Sequence, residues 1–206
     1  MGRILAAVAS NRLKRSMTVA EEIEREVVEA CQRGDREAFR VLFETYKDMI
    51  YSIALRYSGN QAAAMDITQD TFVKLFSRIG DFRGESRFES WLYRMVVNSC
   101  LDHRRRLRRW LPLPEDTSRF FQAKESLTEN LMRSELHGKL RSAVAKLAPE
   151  LRLAVILRYT EGLSYDEIAE AMGCSAGTVA SRLNRAHKDL ARRLSPLSKW
   201  FGGGYA

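Results

Sequence analysis

The sequence predicts an all-α protein made of two small helical domains joined by a linker. Three observations lead to this prediction. Apolar residues recur at three- and four-residue spacing along most of the chain, which is typical of amphipathic helices. No run of alternating apolar and polar residues stands out as a strand. Helical periodicity fades between about residues 110 and 132, where Pro112 and Pro114 lie close together.

This change in pattern divides the chain into five parts. A partly disordered N-terminal extension is expected over residues 1–33, and the first helical domain over 34–109. The linker covers residues 110–132, with room for one short helix after Ser126, and the second domain covers 133–196. A flexible tail, which contains Gly202, Gly203 and Gly204, is expected over 197–206. Met17 is a candidate alternative start of the protein chain.

The first domain is predicted to contain three long helices. An apolar stripe runs over residues 35–57 for six turns, and a third helix is expected to start at a capping box formed by Ser86 and Glu89. The apolar positions of the second helix are Phe72, Leu75, Phe76 and Ile79, and those of the third are Phe88, Trp91, Leu92, Met95 and Val96.

The second domain is predicted to be a compact bundle of about four helices that ends in a helix-turn-helix. Ser164 and Glu167 form a capping box, and Gly173 fits the left-handed position that ends a short helix. Ser175 then caps the next helix. A helix, a glycine-containing turn and a second helix form the layout of many DNA readers. An ordinary helical hairpin with a basic face stays open as the alternative.

Composition limits the classes of function. The 206 residues carry a net charge of +8, and no apolar run approaches the roughly 18 residues that a membrane span needs. The three cysteines lack a CxxC pattern, which argues against a disulfide framework and a zinc ribbon and fits reduced thiols in the cytoplasm. No catalytic, cofactor-binding or metal-ligating motif is present, so we expect no enzyme, no cofactor and no metal.

Basic and aromatic residues occur together near the end of the first domain. Five arginines at positions 104, 105, 106, 108 and 109 repel one another unless an anion is present, and a phosphate backbone would supply it. A solvated helix end is the alternative. The preceding loop, Phe82–Ser86, is the candidate for contacting an unstacked base, whereas Trp91 suits the core equally well.

Two further surfaces are predicted from spacing. Asp66, Gln69 and Asp70 share one helical face, which suits a partner protein that presents arginine or lysine, although plain solubility would also explain them. On the second helix of the helix-turn-helix, four polar side chains lie off the apolar stripe, where they could contact the base edges and phosphates of DNA. They are Thr178, Ser181, Arg182 and Arg185.

Several motifs resemble those of bacterial sigma factors. Residues 66–72 (DITQDTF), 82–86 (FRGES) and 91–94 (WLYR) are similar to the second conserved domain of that family. Residues 157–159 (LRY), 161–169 (EGLSYDEIA) and 177–183 (GTVASRL) are similar to its fourth domain. The short linker leaves no room for a third domain, and this two-domain form is the extracytoplasmic-function (ECF) group.

The resemblance implies a function and a set of partners. An alternative-type sigma factor binds core RNA polymerase, through its β′ clamp and β flap, and directs initiation at specific promoter DNA. An anti-sigma partner is expected by analogy, and no membrane insertion of the chain's own is expected. Polymerase contacts are assigned to Asp66, Gln69, Asp70, Phe72 and Leu75.

The resemblance also assigns two sets of DNA contacts. Recognition and melting of the −10 element are assigned to Phe82, Arg83, Gly84, Ser86, Trp91, Arg94, Asn98, Arg104 and Arg105. Recognition of the −35 element is assigned to Ser175, Thr178, Ser181, Arg182 and Arg185. Two other functions compete with a sigma factor. One is a helix-turn-helix regulator that works without polymerase, and the other is a decoy that binds polymerase but opens no DNA.

Overall fold

The computed structural model describes residues 25–110 and 131–195, and within these two ranges it contains eight α-helices and no strand. The all-α prediction is therefore confirmed. The first domain contains α1 (25–32), α2 (Arg36–Ser58), α3 (Gln61–Arg78), a 3₁₀ turn (Ile79–Asp81) and α4 (Phe88–Trp110). The second contains α5 (Leu131–Ala145), α6 (Pro149–Tyr159), α7 (Tyr165–Met172) and α8 (Ala176–Leu194).

Local capping signals position both ends of α7 and the start of α8. The Ser164 hydroxyl accepts a hydrogen bond from the amide of Glu167, whose carboxylate accepts one from the amide of Ser164, as the predicted capping box requires. Gly173 ends α7 with φ +61°, in the left-handed region. Ser175 caps α8 by accepting from the amide of Thr178 at 3.2 Å.

One predicted cap is not formed. Helix α4 begins at Phe88, so Arg87 rather than Ser86 occupies the residue before the helix, and Ser86 lies in an exposed bend. The capping box predicted for Ser86 and Glu89 is therefore wrong by one residue. The bend over residues 84–86 includes Gly84 at φ +72°, and this local conformation displaces the helix start.

The core of the first domain begins earlier than the predicted boundary at residue 34. Val28 and Cys31 of α1 are 3% and 5% exposed and belong to the same hydrophobic core as α2, α3 and α4. At the other end of the domain, α4 continues to Trp110. The extension before residue 25, Met17, the linker over 111–130 and the tail after 195 lie outside the described residues.

The two domains pack against each other. Helix α4 lies against α7, and α2 lies against α6, so buried side chains of both domains join in one core. Arg152 of α6 is 4% exposed at this junction, and its guanidinium donates a hydrogen bond to the main-chain carbonyl of Tyr57 at 2.7 Å. The end of α2 and the start of α6 are therefore held together by a buried side chain.

Candidate protein and nucleic-acid interfaces

An acidic groove lies between α3 and α4. Asp66, Gln69 and Asp70 line one wall, as their spacing predicts, and the groove has a volume of about 290 Å³. His103, Arg106 and Leu107 of α4 form the opposite wall. The groove suits a cationic side chain, because two carboxylate residues and a glutamine line one wall.

A cation of the chain itself already occupies part of this groove. The guanidinium of Arg106 donates a hydrogen bond to Asp70, and this bond raises the pKa of Arg106. Burial and the neighbouring Arg106 charge lower the pKa of His103 below its ordinary value. Asp66 is exposed, and it is the carboxylate that a partner reaches without first displacing Arg106.

An apolar groove of about 580 Å³ adjoins the acidic one, between α3 and α2, and Gln69 lines both grooves. Three large side chains in it are well exposed: Met65 at 64%, Val73 at 62% and Phe76 at 67%. An exposed apolar cluster of this kind marks an interaction surface. The two predicted contact residues Phe72 and Leu75 are buried, at 8% and 0% exposure, although Phe72 also lines this groove. They pack beneath the exposed side chains of this surface. The helical periodicity of the sequence alone does not distinguish these two buried residues from the exposed Phe76.

The loop between α3 and α4 is fixed at its base and open at its tip. Phe82 is half-buried, with its ring centroid 5.5 Å from Phe88 and 5.3 Å from Trp91. The predicted base contacts Phe82 and Trp91 therefore form an aromatic cluster with Phe88, and both are half-buried. Arg83, Gly84 and Ser86 are exposed, so the tip of the loop is free to contact a base.

No local sequence pattern indicates the residue that anchors this loop. Gln32 of α1 donates from Nε2 to the carbonyl of Ile79 at 2.9 Å and to that of Phe82 at 2.8 Å. These two bonds tie the loop base to a helix some fifty residues earlier in the chain. A long-range contact of one glutamine has no local sequence signature.

The basic end of α4 is only partly available to a phosphate backbone. Arg94 and Asn98 are exposed on the helix, whereas Arg104 is half-buried. Arg105 is exposed but pairs with Asp102 at 3.2 Å. Arg108 and Arg109 are exposed at the helix end, where cations also stabilise the helix dipole. Of the predicted −10 contacts on α4, Arg94, Asn98 and Arg105 are exposed and Arg104 is half-buried.

Helix α8 presents an exposed polar face. Ser181, Asn184, Arg185 and Lys188 are exposed, and their spacing places them along one side of the helix. Ser175 and Thr178 sit at the start of the helix, and their hydroxyl oxygens are 2.9 Å apart. This arrangement suits insertion of the helix N-terminal half into a major groove.

Arg182 lies apart from that exposed face. Its guanidinium Nη1 is 3.3 Å from the sulfur of Cys174 and 3.9 Å from that of Met172, so the side chain folds back on the turn. Arg185 is the more accessible of the two predicted arginine contacts. Asn184 and Lys188 join the candidate surface, although the sequence assignment did not include them.

Within residues 25–110 and 131–195, no helix is long and apolar enough to span a membrane. Over the same ranges, no group of three or more His, Cys, Asp or Glu residues is placed to hold a metal ion.

Comparison with known families matches both domains. Residues 42–110 match the model of Sigma-70 region 2, and residues 137–190 match that of Sigma-70 region 4. The first match contains the acidic and apolar grooves, the loop and α4. The second contains the whole of α6 and α7 and most of α8.

Curated relatives and solved structures agree with these matches. The chain is 33% identical over 188 residues to the RNA polymerase sigma-H factor of Pseudomonas aeruginosa, covering 87% of this chain and 97% of that protein. It is 36% identical over 182 residues to the ECF RNA polymerase sigma-E factor of Escherichia coli K12, covering 83% and 94%.

Among solved structures, the sigma factor RpoE of Bartonella quintana, bound to the anti-sigma factor NepR, aligns with a TM-score of 0.60 at 25% identity, covering 76% of this chain and 96% of that one. CnrH bound to the cytosolic domain of CnrY aligns with the same TM-score and identity, covering 84% and 97%. With both domains matched in order and relatives aligned over nearly their whole length, the chain belongs to the ECF sigma factors of bacterial RNA polymerase.

Proposed function

We propose that this sigma factor binds core RNA polymerase through α3, captures the −10 element with the loop before α4, and reads the −35 element with α8. The observation that carries the proposal is the separation of three surfaces of different chemistry on one chain. One is acidic and apolar, one is an open loop beside aromatic rings, and one is a polar and basic helix face.

The polymerase surface combines a charged and an apolar contact. Asp66, Gln69 and Asp70 offer oxygen acceptors to a basic helix of the β′ clamp, and Val73 and Phe76 offer exposed apolar area beside them. Charged groups steer the encounter, whereas apolar burial supplies most of the affinity. A regulator that only binds duplex DNA has no use for such a surface, which argues against the alternative function.

The −10 surface suits a single strand. Bases that leave the duplex stack on aromatic side chains and are held by a charged path along the backbone. The cluster of Phe82, Phe88 and Trp91 gives the loop a rigid apolar base, while Arg83 and Arg94 are exposed near it. This combination favours capture of one flipped base, with backbone phosphates bound by the arginines.

The −35 surface suits duplex DNA. Helix α8 carries Ser181, Asn184, Arg185 and Lys188 on one exposed side, and Gly173 ends α7 in the left-handed region at the turn that leads into α8. Side chains with both donors and acceptors read base edges in the major groove, and the basic ones contact phosphates.

Two further partners follow from the family. The second domain is also proposed to contact the polymerase β flap. The solved relatives RpoE and CnrH are bound to NepR and CnrY, the first of which is named an anti-sigma factor. An anti-sigma protein is proposed to hold this chain in the same way. The chain acts in the cytoplasm, as an initiation factor with no catalytic reaction of its own.

The test is a pull-down of core RNA polymerase with the purified protein, followed by run-off transcription from a genomic promoter library. Binding together with new start sites is expected. Asp66→Arg with Asp70→Arg should abolish the pull-down, whereas Glu26→Arg with Glu29→Arg, the same charge change on exposed residues of α1, should not. A folded wild-type protein that fails to bind polymerase would leave the helix-turn-helix regulator as the function. Binding without initiation would identify a decoy.

A further inference from the structure

Gln32 connects the last turn of α1 to the base of the loop that precedes α4. Its side-chain amide donates from Nε2 to the Ile79 carbonyl at 2.9 Å and to the Phe82 carbonyl at 2.8 Å. Ile79 is the first residue of the 3₁₀ turn, and Phe82 is the residue that follows the turn. One amide group therefore bridges the two ends of the turn that leads into the loop.

Phe82 is held through both its main chain and its side chain. Its amide donates to the Ile79 carbonyl at 3.2 Å, so this carbonyl accepts one hydrogen bond from within the turn and one from Gln32. The Phe82 ring packs against Phe88 and Trp91, at 5.5 Å and 5.3 Å between ring centroids. Gln32 thus supplies the polar part of the anchor, and the aromatic cluster supplies the apolar part.

The position of Gln32 is itself set by buried and capped parts of the first domain. Val28 and Cys31 of α1 are 3% and 5% exposed in the core. Just after the helix, Gly34 adopts φ +87°, and its amide donates to the Cys31 carbonyl at 2.9 Å. Asp35 then caps the start of α2. Gln32 therefore lies at a fixed helix end, and its hydrogen bonds hold the loop base against that end.

The tip of the loop, residues 83–86, is exposed to solvent. Within the described residues, a Cβ atom built at Gly84 would meet no atom within 4 Å apart from its chain neighbours. Because the tip follows Phe82 directly, a shift of the Phe82 main chain moves the whole tip. The direction in which the tip points thus depends on the anchor at its base.

We propose that Gln32 is a positioning residue for capture of the −10 base. Helix α1 then belongs to the −10 reading unit, although it precedes the residues that match Sigma-70 region 2. Gln32 does not touch the base, but it holds the Phe82 main chain so that the tip and the aromatic cluster act on the same strand. This inference rests on the proposed −10 function, whereas the bonds to the loop are a property of the free chain.

The size of the effect follows from the two hydrogen bonds. Only the fraction of molecules with an anchored loop presents the tip correctly, and the observed affinity is reduced by that fraction. Loss of two hydrogen bonds shifts the ratio of anchored to released loop by about tenfold or more. Both bonds lie near the surface, where water replaces them in part. We therefore expect the contribution of the captured base to binding to fall by about threefold to tenfold.

The main variant is Gln32→Glu, which keeps the shape of the side chain but replaces its donor with an acceptor that faces two carbonyls. The matched control is Gln61→Glu, the same change at an exposed glutamine at the start of α3. Gln32→Ala removes the donor without adding a charge at the end of α1, and Gln32→Lys restores N–H donors at this position. Circular dichroism shows whether each variant is folded.

Hydrogen exchange measured by mass spectrometry tests the anchor in the free, full-length protein. Peptides that cover residues 79–87 should exchange faster by about threefold or more in Gln32→Glu and Gln32→Ala. They should keep the wild-type rate in Gln61→Glu, and Gln32→Lys should lie nearer to the wild type than Gln32→Ala does. Wild-type exchange in folded Gln32→Glu and Gln32→Ala would overturn the proposal, and this result needs neither polymerase nor DNA.

Base capture is measured in the holoenzyme with a labelled single strand. The probe is the non-template −10 strand of a promoter found by run-off transcription, with an abasic site placed at each position in turn. The position with the largest loss of affinity identifies the captured base. The ratio of the affinities for the intact and the abasic strand should fall by about threefold to tenfold in Gln32→Glu and stay unchanged in Gln61→Glu.

Affinity for core polymerase and for a −35 duplex should stay at the wild-type value in Gln32→Glu, because a general structural defect would weaken all three interactions together. An unchanged ratio in a variant whose loop exchanges faster would overturn the role of Gln32. If no abasic site weakens binding of the wild-type holoenzyme, the proposed base capture itself is refuted, whatever the exchange experiment shows.

Discussion

Adjacent side chains on α3 allow a sharp test of the polymerase surface. Leu75 is 0% exposed and lies in the core, whereas Phe76 is 67% exposed beside the apolar groove. Phe76→Ala should weaken binding of core RNA polymerase with little loss of stability. Leu75→Ala should do the reverse, because its side chain contacts the core and not the partner.

The magnitudes follow from the exposed areas. An aromatic side chain of about 200 Å² that is 67% exposed offers about 130 Å² to a partner, worth about 3 kcal/mol if fully buried. Burial of half that area gives about 1.5 kcal/mol, so the affinity loss for Phe76→Ala is expected between about tenfold and a hundredfold. The ring of Phe76 also packs edge-on against Phe39 at 4.8 Å, which costs the folded state about 1 kcal/mol when it is removed. Leu75→Ala should lower the free energy of unfolding by about 2–5 kcal/mol.

Two measurements on each variant separate these effects. Urea denaturation followed by circular dichroism gives the free energy of unfolding, and fluorescence anisotropy gives the affinity for core polymerase at temperatures where the protein is folded. Wild-type polymerase affinity in a folded Phe76→Ala variant would refute the assignment of this surface. A Leu75→Ala variant that keeps its stability but loses polymerase binding would show that the two side chains were assigned the wrong way round.

Two other predictions concern DNA binding and thiol chemistry. On a −35 duplex, Arg185→Ala should reduce the salt dependence of binding by about one phosphate contact, or about 0.9 in the slope of log K against log salt concentration. Arg182→Ala should reduce the slope less, because its guanidinium lies 3.3 Å from the sulfur of Cys174; equal slopes for the two variants would contradict the observed orientation. Burial raises the pKa of Cys100 to about 12, so iodoacetamide at pH 8 should modify the half-buried Cys174 and spare Cys100 until the protein unfolds. Mass spectrometry that found Cys100 modified in the native protein would contradict the packing of α4.

Features encoded by neighbouring residues were predictable from the sequence. The capping box of Ser164 and Glu167, the left-handed Gly173 and the cap at Ser175 each depend on residues within four positions of one another. The capping box predicted for Ser86 and Glu89 is also a local feature, but it is not formed. A bend between the loop and α4 moves the start of the helix by one residue.

Features that depend on distant residues were not predictable. Helix α3 packs against both α2 and α4, so a single apolar stripe does not tell which of Phe72 and Phe76 faces outward. The bonds of Gln32 and Arg152 join residues 50 and 95 positions apart in the chain. Such contacts are set by how the helices pack, and helical periodicity carries no information about them.

Because Gln32 anchors the loop between α3 and α4, it determines where a fragment of the first domain should begin. A fragment cut at residue 42, where the match to Sigma-70 region 2 begins, would keep every loop residue but lose α1 and the first six residues of α2. The carbonyls of Ile79 and Phe82 would then lose the donor that fixes them. The tip of the loop could still contact a base. Ordering the loop would then cost conformational entropy when the base binds. A minimal first domain should therefore begin no later than residue 25, so that base capture is measured on a preorganised loop.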